Sequence, residues 1–205
     1  MEKLKSSITN MALVLTGVAV ITGGILAYVN NLTSGPIAQQ KEKALADGIK
    51  AVMGGGELSV AKTDTVRQND EKGKEMTYII YQAQDNKGQE LGAAVESTTN
   101  GFGGNLKVLV GFDLDGKILG YTLLEHAETP GLGAKADKWF QKGEKGDIIG
   151  KSPQEPLTVS KDGGQVDAIT ASTITSRAFL LAVNNAYNAY MDIPVDAETG
   201  ASPKK

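Results

Sequence analysis

Lys107-Val108-Leu109-Val110-Gly111-Phe112-Asp113-Leu114-Asp115-Gly116-Lys117-Ile118-Leu119-Gly120-Tyr121-Thr122-Leu123-Leu124 consists of two apolar segments around an Asp-x-Asp-Gly turn. Residues 107–112 and 117–124 flank the turn, which is the pattern of a β-hairpin. A second hairpin signal lies upstream, where residues 77–83 and 91–97 flank Asp85-Asn86-Lys87-Gly88. The Asp113 run also invites a calcium-loop reading. The twelfth position of such a loop is Leu124, where a Glu is required, so a plain turn is expected. Helical periodicity comes later in the chain. Phe179, Leu180, Val183, Ala186, Tyr187 and Tyr190 recur at three- and four-residue spacing and make one apolar face over residues 177–190. Between hairpin and helix lie a short amphipathic stretch, 134–141, and a Gly-, Lys- and Asp-rich segment, 143–164, read as a long loop. Trp139 and Phe140 are expected in the core or in a pocket wall. Strands joined by hairpins and followed by helices indicate an α+β domain, an antiparallel sheet with flanking helices, rather than alternating βαβ units. Gly131-Leu132-Gly133-Ala134-Lys135-Ala136 fits a dinucleotide-binding pattern. The strand before it ends near Leu124 and belongs to a hairpin, so the βαβ setting of that pattern is missing.

The whole chain has 205 residues and a net charge of −3, with no Cys and one His. The length suits one domain plus an anchor. The charge suggests no nucleic-acid partner. Without Cys there are no Cys-ligated iron–sulfur clusters, no thioether-linked haem and no disulfides. Redox chemistry would need an organic cofactor.

No charged residue occurs from Ser6 through Gln40. Residues 8–28, at about 1.5 Å each, span roughly 30 Å, the thickness of a bilayer core. A cleaved signal peptide is the rival reading. Its apolar region is normally shorter and is followed by an Ala-x-Ala site, which is not found here, so an uncleaved transmembrane helix is expected. Lys3 and Lys5 precede this helix, and the first charge after it is Lys41. The positive-inside rule places residues 1–7 in the cytoplasm and the rest outside. Ser34-Gly35-Pro36 is expected to end the membrane helix and open another. Residues 29–56 then form a juxtamembrane linker or helix, with Ala44, Leu45, Ile49 and Val52 as an apolar stripe until Gly54-Gly55-Gly56. This segment is either a stalk or a first domain helix packed on the sheet. The domain is expected over 57–192, followed by a flexible tail over 193–205.

Asp167-Ala168-Ile169-Thr170-Ala171-Ser172-Thr173-Ile174-Thr175-Ser176 crowds three Thr and two Ser against the start of the last helix. Unpaired N–H groups and the helix dipole favour an anion at such a place. The plainer reading is an N-cap, where Ser and Thr are common.

Asp-x-x-Thr-Ala-Ser-Thr-x-Thr resembles the flavinylation motif of the membrane-bound Rnf and Nqr redox complexes. In that family the usual pattern is Ser/Thr-Gly-Ala-Thr, and its last Thr carries FMN through a phosphoester bond. The match makes Thr173 the acceptor, with Thr170, Ser172 and Thr175 beside it. Ala171 stands where Gly is usual, and Ser172 where Ala is usual. Ala171 lacks the easy access to positive φ that Gly has. Upstream, Glu125-His126-Ala127-Glu128-Thr129-Pro130-Gly131-Leu132-Gly133 resembles the His-x-Glu-Thr-Pro-Gly-Leu-Gly signature of the same FMN-binding domain, and Asn100-Gly101-Phe102-Gly103-Gly104-Asn105-Leu106, followed by residues 108–112, also looks similar to it. The resemblance covers residues 97–190. It is nearest to the G subunits of Rnf ion-translocating complexes, to which the C subunits of sodium-translocating NADH:quinone reductases are related.

The second motif suits a flat aromatic ligand. Pro130 fixes the backbone, and Gly131 and Gly133 let main-chain amides approach closely. Thr129 can hydrogen-bond the polar ring edge, and Leu132 can cover a ring face. Glu128 either lowers the flavin potential or holds the loop together, and His126 is either a proton donor or a loop stabiliser. The resemblance implies an electron-transfer subunit with covalent FMN and no independent catalytic residues. It implies a membrane complex that couples ferredoxin:NAD oxidoreduction to sodium or proton translocation. Partners would be the other membrane subunits, with a flavin transferase during maturation. The alternatives are a membrane-anchored flavin-binding sensor or binding module, or the equivalent subunit of a sodium-pumping quinone reductase.

Overall fold

A computed structural model of the protein describes residues 8–69 and 75–192. The expected cytoplasmic tail, with Lys3 and Lys5, and the expected flexible tail at 193–205 lie outside the described residues. The chain divides into two compact units, residues 1–44 and 45–205.

In the first unit the described residues belong to helix α1 (Ile8–Val52), which is long and apolar enough to cross a membrane. Several of its hydroxyls turn back onto its own backbone. Thr22 Oγ1 donates to the Val18 carbonyl at 2.7 Å and Thr33 Oγ1 to the Val29 carbonyl at 2.9 Å. Thr22 lies within residues 8–28, and its bond satisfies the hydroxyl inside the helix, as a span in lipid requires. The expected break at Ser34-Gly35-Pro36 does not occur, and α1 runs through Pro36 without interruption. Proline removes one N–H donor, which deprives the Leu32 carbonyl of its helical partner. Residues around it are exposed, so water can solvate that carbonyl and the helix need not end.

The second unit begins with the last turns of α1. Next come β1 (Leu58–Asn69), β2 (Glu75–Asp85), β3 (Glu90–Asn100), β4 (Asn105–Phe112) and β5 (Ile118–His126), then the four-residue α2 (Ala136–Trp139) and α3 (Thr173–Tyr190). The five strands form one sheet in sequence order, antiparallel throughout. Both expected hairpins are present as β2–β3 and β4–β5, and the antiparallel α+β architecture is as expected. Their turns use one device: Asp85 Oδ1 accepts from the Lys87 and Gln89 amides, and Asp113 Oδ1 from the Asp115 and Lys117 amides, at 2.8–3.0 Å. The Asp113 carboxylate is thus a turn lock. The edge strand β1 is not evident in the sequence, because it alternates little and most of it is exposed. It is held by its backbone ladder to β2, from Leu58 opposite Asp85 to Asn69 opposite Glu75.

Strand alternation sorts two cores. Val95, Val108 and Val110 face α3 together with Tyr78, Phe112 and Tyr121. Ala94 and Leu109 face the other way, against Ile49, Val52 and Met53 at the end of α1. Of the two readings of residues 29–56, packing on the sheet therefore holds for this last part. The approach is close: a Cβ at Gly111 would run into the backbone of Val52, and one at Gly120, its partner across β4 and β5, would lie 3.0 Å from the Val52 carbonyl oxygen. On the α3 side Phe179 stacks on Phe140 at 4.3 Å and meets Tyr121 edge-on at 4.7 Å. Phe179, Leu180 and Val183 are almost fully buried. At about 1.5–3 kcal/mol each, these side chains hold α3, and so its N-terminus, in place. The Tyr121 hydroxyl donates to the Ala136 carbonyl at 2.6 Å and accepts from the Phe140 amide at 3.2 Å. Burial pushes its phenol pKa far up, so it stays neutral.

Candidate functional site

Three loops meet at the N-terminus of α3: the Gly-rich turn between β3 and β4, the segment after β5, and the turn carrying the hydroxyl cluster. Together they line an open cavity of about 380 Å³. Its apolar lining includes Phe102, Leu132 and Ile174. Its polar lining includes Glu128, Thr129, Ser172, Thr173 and Thr175, and Gly133 and Ala171 complete the wall. Of the residues singled out in the sequence, Glu128, Thr129, Leu132, Gly133, Ser172, Thr173 and Thr175 thus line one cavity. Thr170 and Gly131 are exposed and are not among the lining residues.

The hydroxyls divide by role. Ser172 is the N-cap residue of α3, yet its side chain makes no capping hydrogen bond. The turn is tied instead by Ser176, whose hydroxyl accepts from the Ile169 amide and donates to the Ser172 carbonyl, both at 2.9 Å. Thr175 is 1% exposed and donates to Glu128 Oε2 at 2.7 Å. Thr173, the first residue of α3, is partly exposed, and the ammonium of Lys161 donates to its Oγ1 at 3.1 Å. The chain reaches this geometry through a left-handed residue: Ala171 has φ 61°. The flavinylation motif usually has Gly at this position, and a turn of this hand is where Gly fits at no steric cost.

Glu128 connects all three loops. Its Oε1 accepts from the amides of Phe102 (2.8 Å) and Gly103 (3.2 Å), and its Oε2 from Thr175. It is 5% exposed. Of its two expected roles, the geometry displays loop holding. Gly133 serves the same joint, since a Cβ there would overlap Glu128 and lie 2.7 Å from Thr175 Oγ1. Gly131 differs, with φ 77° and open space around it, so its turn needs the dihedral rather than a close approach. His126 accepts from the Glu128 amide at Nδ1 (3.3 Å), while its Nε2 lies 3.8 Å from Asp137. These contacts suit a loop stabiliser. Trp139 donates to the Asp167 carbonyl at 2.8 Å and lines a separate depression.

Sequence reasoning singled out neither Phe102, Ile174 nor Lys161. Phe102 carried a usable signal: an aromatic residue in a Gly-rich turn, here 70% exposed. Lys161 carried none, lying in a segment read only as loop.

The residues present fit a flavin mononucleotide. The cavity lies within the range of about 300–1,000 Å³ typical of small-ligand sites and pairs apolar walls with a few hydroxyls. A cation and a helix N-terminus stand together at Thr173, an arrangement that suits a phosphate. The class defined by this fold and site is an FMN-binding domain, and the FMN-binding domain family matches over residues 101–188. A second family, the RnfG N-terminal region, matches residues 1–52. The chain is 35% identical over 188 residues to the G subunit of the ion-translocating oxidoreductase complex of Vibrio cholerae serotype O1, covering 88% of this chain and 89% of that one. It is 34% identical over 204 residues to the corresponding protein of Aliivibrio fischeri, covering 92% and 96%. Among solved structures, it is similar to the C subunit of the Na(+)-translocating NADH-quinone reductase of Parabacteroides distasonis. The identity there is 23%, the TM-score 0.42, and the coverage 64% of this chain and 76% of that one. The chain belongs to the family of G subunits of ion-translocating oxidoreductase complexes.

Proposed function

We propose that this chain is an electron-transfer subunit that carries FMN covalently on Thr173, within a membrane complex coupling ferredoxin:NAD oxidoreduction to sodium or proton translocation. The observation that carries the reading is the Thr173 hydroxyl, partly exposed at the first turn of α3 and opening onto a flavin-sized cavity. Bound there, FMN would supply electron transfer by its isoalloxazine ring. The protein's own residues need only hold and orient. Phe102, Leu132 and Ile174 offer apolar faces, and Thr129, which also lines the cavity, carries a hydroxyl that can bond a polar edge. Lys161 and the helix N-terminus offset a phosphate charge. A covalent tether suits an open site, because affinity alone need not retain the cofactor.

Residues 8–28 cross the membrane with 1–7 in the cytoplasm, and 57–192 form the extracytoplasmic flavin domain. The other membrane subunits of an Rnf-type complex are the working partners, and a flavin transferase loads the cofactor. The full chain, co-expressed with a flavin transferase and exported, is expected to gain the mass of one FMN on the Thr173 peptide. Thr173→Ala should abolish in-gel flavin fluorescence. Flavin on Thr170 or Thr175 would refute the assignment.

A further inference from the structure

Lys161 belongs to the one-turn 3₁₀ segment Ser160–Asp162, which lies alongside the start of α3. Two features hold this turn. Asp162 forms a bidentate pair with Arg177, with Nε at 2.7 Å and Nη2 at 2.6 Å. Gly163 then closes the turn at φ 82°, with Val166 bonded back to Thr158 and Ser160. The pair also fixes which cation is available. Arg177 sits in the first turns of α3 and could otherwise approach an anion at the helix start, but the Asp162 carboxylate engages its guanidinium. Lys161, next to Asp162, is directed to Thr173 Oγ1 instead. A planar fork suits the carboxylate, while a compact ammonium on a flexible stem suits a single oxygen that must exchange a proton for phosphorus.

We propose that Lys161 is the positioning residue for flavin attachment: its ammonium orients the Thr173 hydroxyl and then pairs with the phosphoester formed there, and the Asp162–Arg177 clamp holds it in place. This rests on the reading that Thr173 is the flavin acceptor. In the attachment step Thr173 Oγ1 bonds to the phosphorus of an activated, pyrophosphate-linked flavin nucleotide. The bond from that phosphorus to its nucleotide leaving group breaks, and the hydroxyl proton departs to the transferase or solvent. Lys161 stays protonated throughout, so it is not the base. It offsets the single negative charge that the phosphoryl oxygens carry before the transfer and keep on the diester, while the charge released as the leaving bond breaks goes to the departing nucleotide.

The experiment follows flavin loading of the full-length protein by its transferase, read as intact mass against time, for the parent, Lys161→Met, Lys161→Arg and Asp162→Asn. Loss of a hydrogen bond to a charged group should slow Lys161→Met about ten-fold or more. Lys161→Arg should recover most of the rate, and Asp162→Asn should fall between. Flavin ester that still forms in Lys161→Met should show a displaced phosphorus-31 resonance, which a purely structural role for Lys161 would leave alone. Loading of Lys161→Met within two-fold of the parent, with flavin on Thr173, would overturn the proposal and leave Thr173 as acceptor. Equal slowing in the Met and Arg variants would also overturn it, since charge would not be the determinant. Parent protein carrying no flavin on Thr173 would remove the underlying reading instead.

Discussion

Removing the Glu128 side chain is the sharpest test of how the site is held together. In Glu128→Ala three hydrogen bonds go at once: those from Phe102 N, Gly103 N and Thr175 Oγ1. Their worth differs with exposure. Phe102 and Gly103 lie in an exposed turn, so water can take over their amides, and each bond contributes about 0.5–1 kcal/mol net. Thr175 is 1% exposed, so its orphaned hydroxyl costs about 1–3 kcal/mol. Relief from holding a nearly buried carboxylate offsets part of the loss. The balance is about 3 kcal/mol, equivalent to roughly 10 °C in melting temperature for a domain of this size. Glu128→Gln retains an acceptor for the two amides, and its NH₂ can donate to Thr175, so about 1 kcal/mol is expected. Thermal and urea unfolding of the full-length protein in detergent, followed by near-UV circular dichroism, measures both. An Ala variant melting within 2 °C of the parent, or a Gln variant as unstable as Ala, would refute Glu128 as the joint of three loops.

Ala171→Gly should leave stability unchanged or raise it by up to about 1 kcal/mol, because left-handed backbone strain is removed while the unfolded chain gains freedom; Ala171→Val should lose more than 1 kcal/mol, and chemical denaturation decides. Gly133→Ala should cost about 2 kcal/mol or more, because its Cβ would collide with Glu128, whereas Gly131→Ala should cost only about 1 kcal/mol of dihedral strain; denaturant midpoints that rank the pair the other way would contradict the packing. The hydrogen bond from Arg177 lowers the Asp162 carboxyl below its ordinary 3.8, so the native state binds that proton less readily than the unfolded chain. The clamp's contribution is therefore fully present above about pH 4 and is lost as pH falls through the lowered native value. Urea midpoints of the parent and Asp162→Asn should converge over that acid range and stay apart at neutral pH.

The hairpins were legible because turn chemistry and strand alternation are local. Asp85 and Asp113 each lock a turn within four residues of themselves. The last helix was legible for the same reason, since its apolar face repeats every three to four residues. The start of α3 lies a turn earlier than its periodicity shows, because Thr173 and Thr175 are poor helix formers and their placement depends on Ser176 and Glu128. Edge strand β1 left no pattern because an edge needs backbone pairing more than an apolar face. The break expected at Pro36 failed because one lost hydrogen bond does not end a helix whose exposed carbonyl water can reach.

By itself the sequence determined the periodic and short-range features: an apolar span at residues 8–28, two hairpins, a final amphipathic helix and a hydroxyl cluster before it. That Ala171 takes the left-handed conformation came from the structure. How the motif residues meet in one cavity, and which others join them, was decided by the tertiary structure. Glu128 and Thr175 are 47 positions apart, and their 2.7 Å hydrogen bond exists only because α3 packs on the sheet. Lys161 and Thr173 are 12 apart, joined because Asp162 and Arg177 pair across the intervening turn. Such contacts leave no periodic trace in the chain, since each depends on burial and charge pairing between segments whose separation along the chain is set by loops.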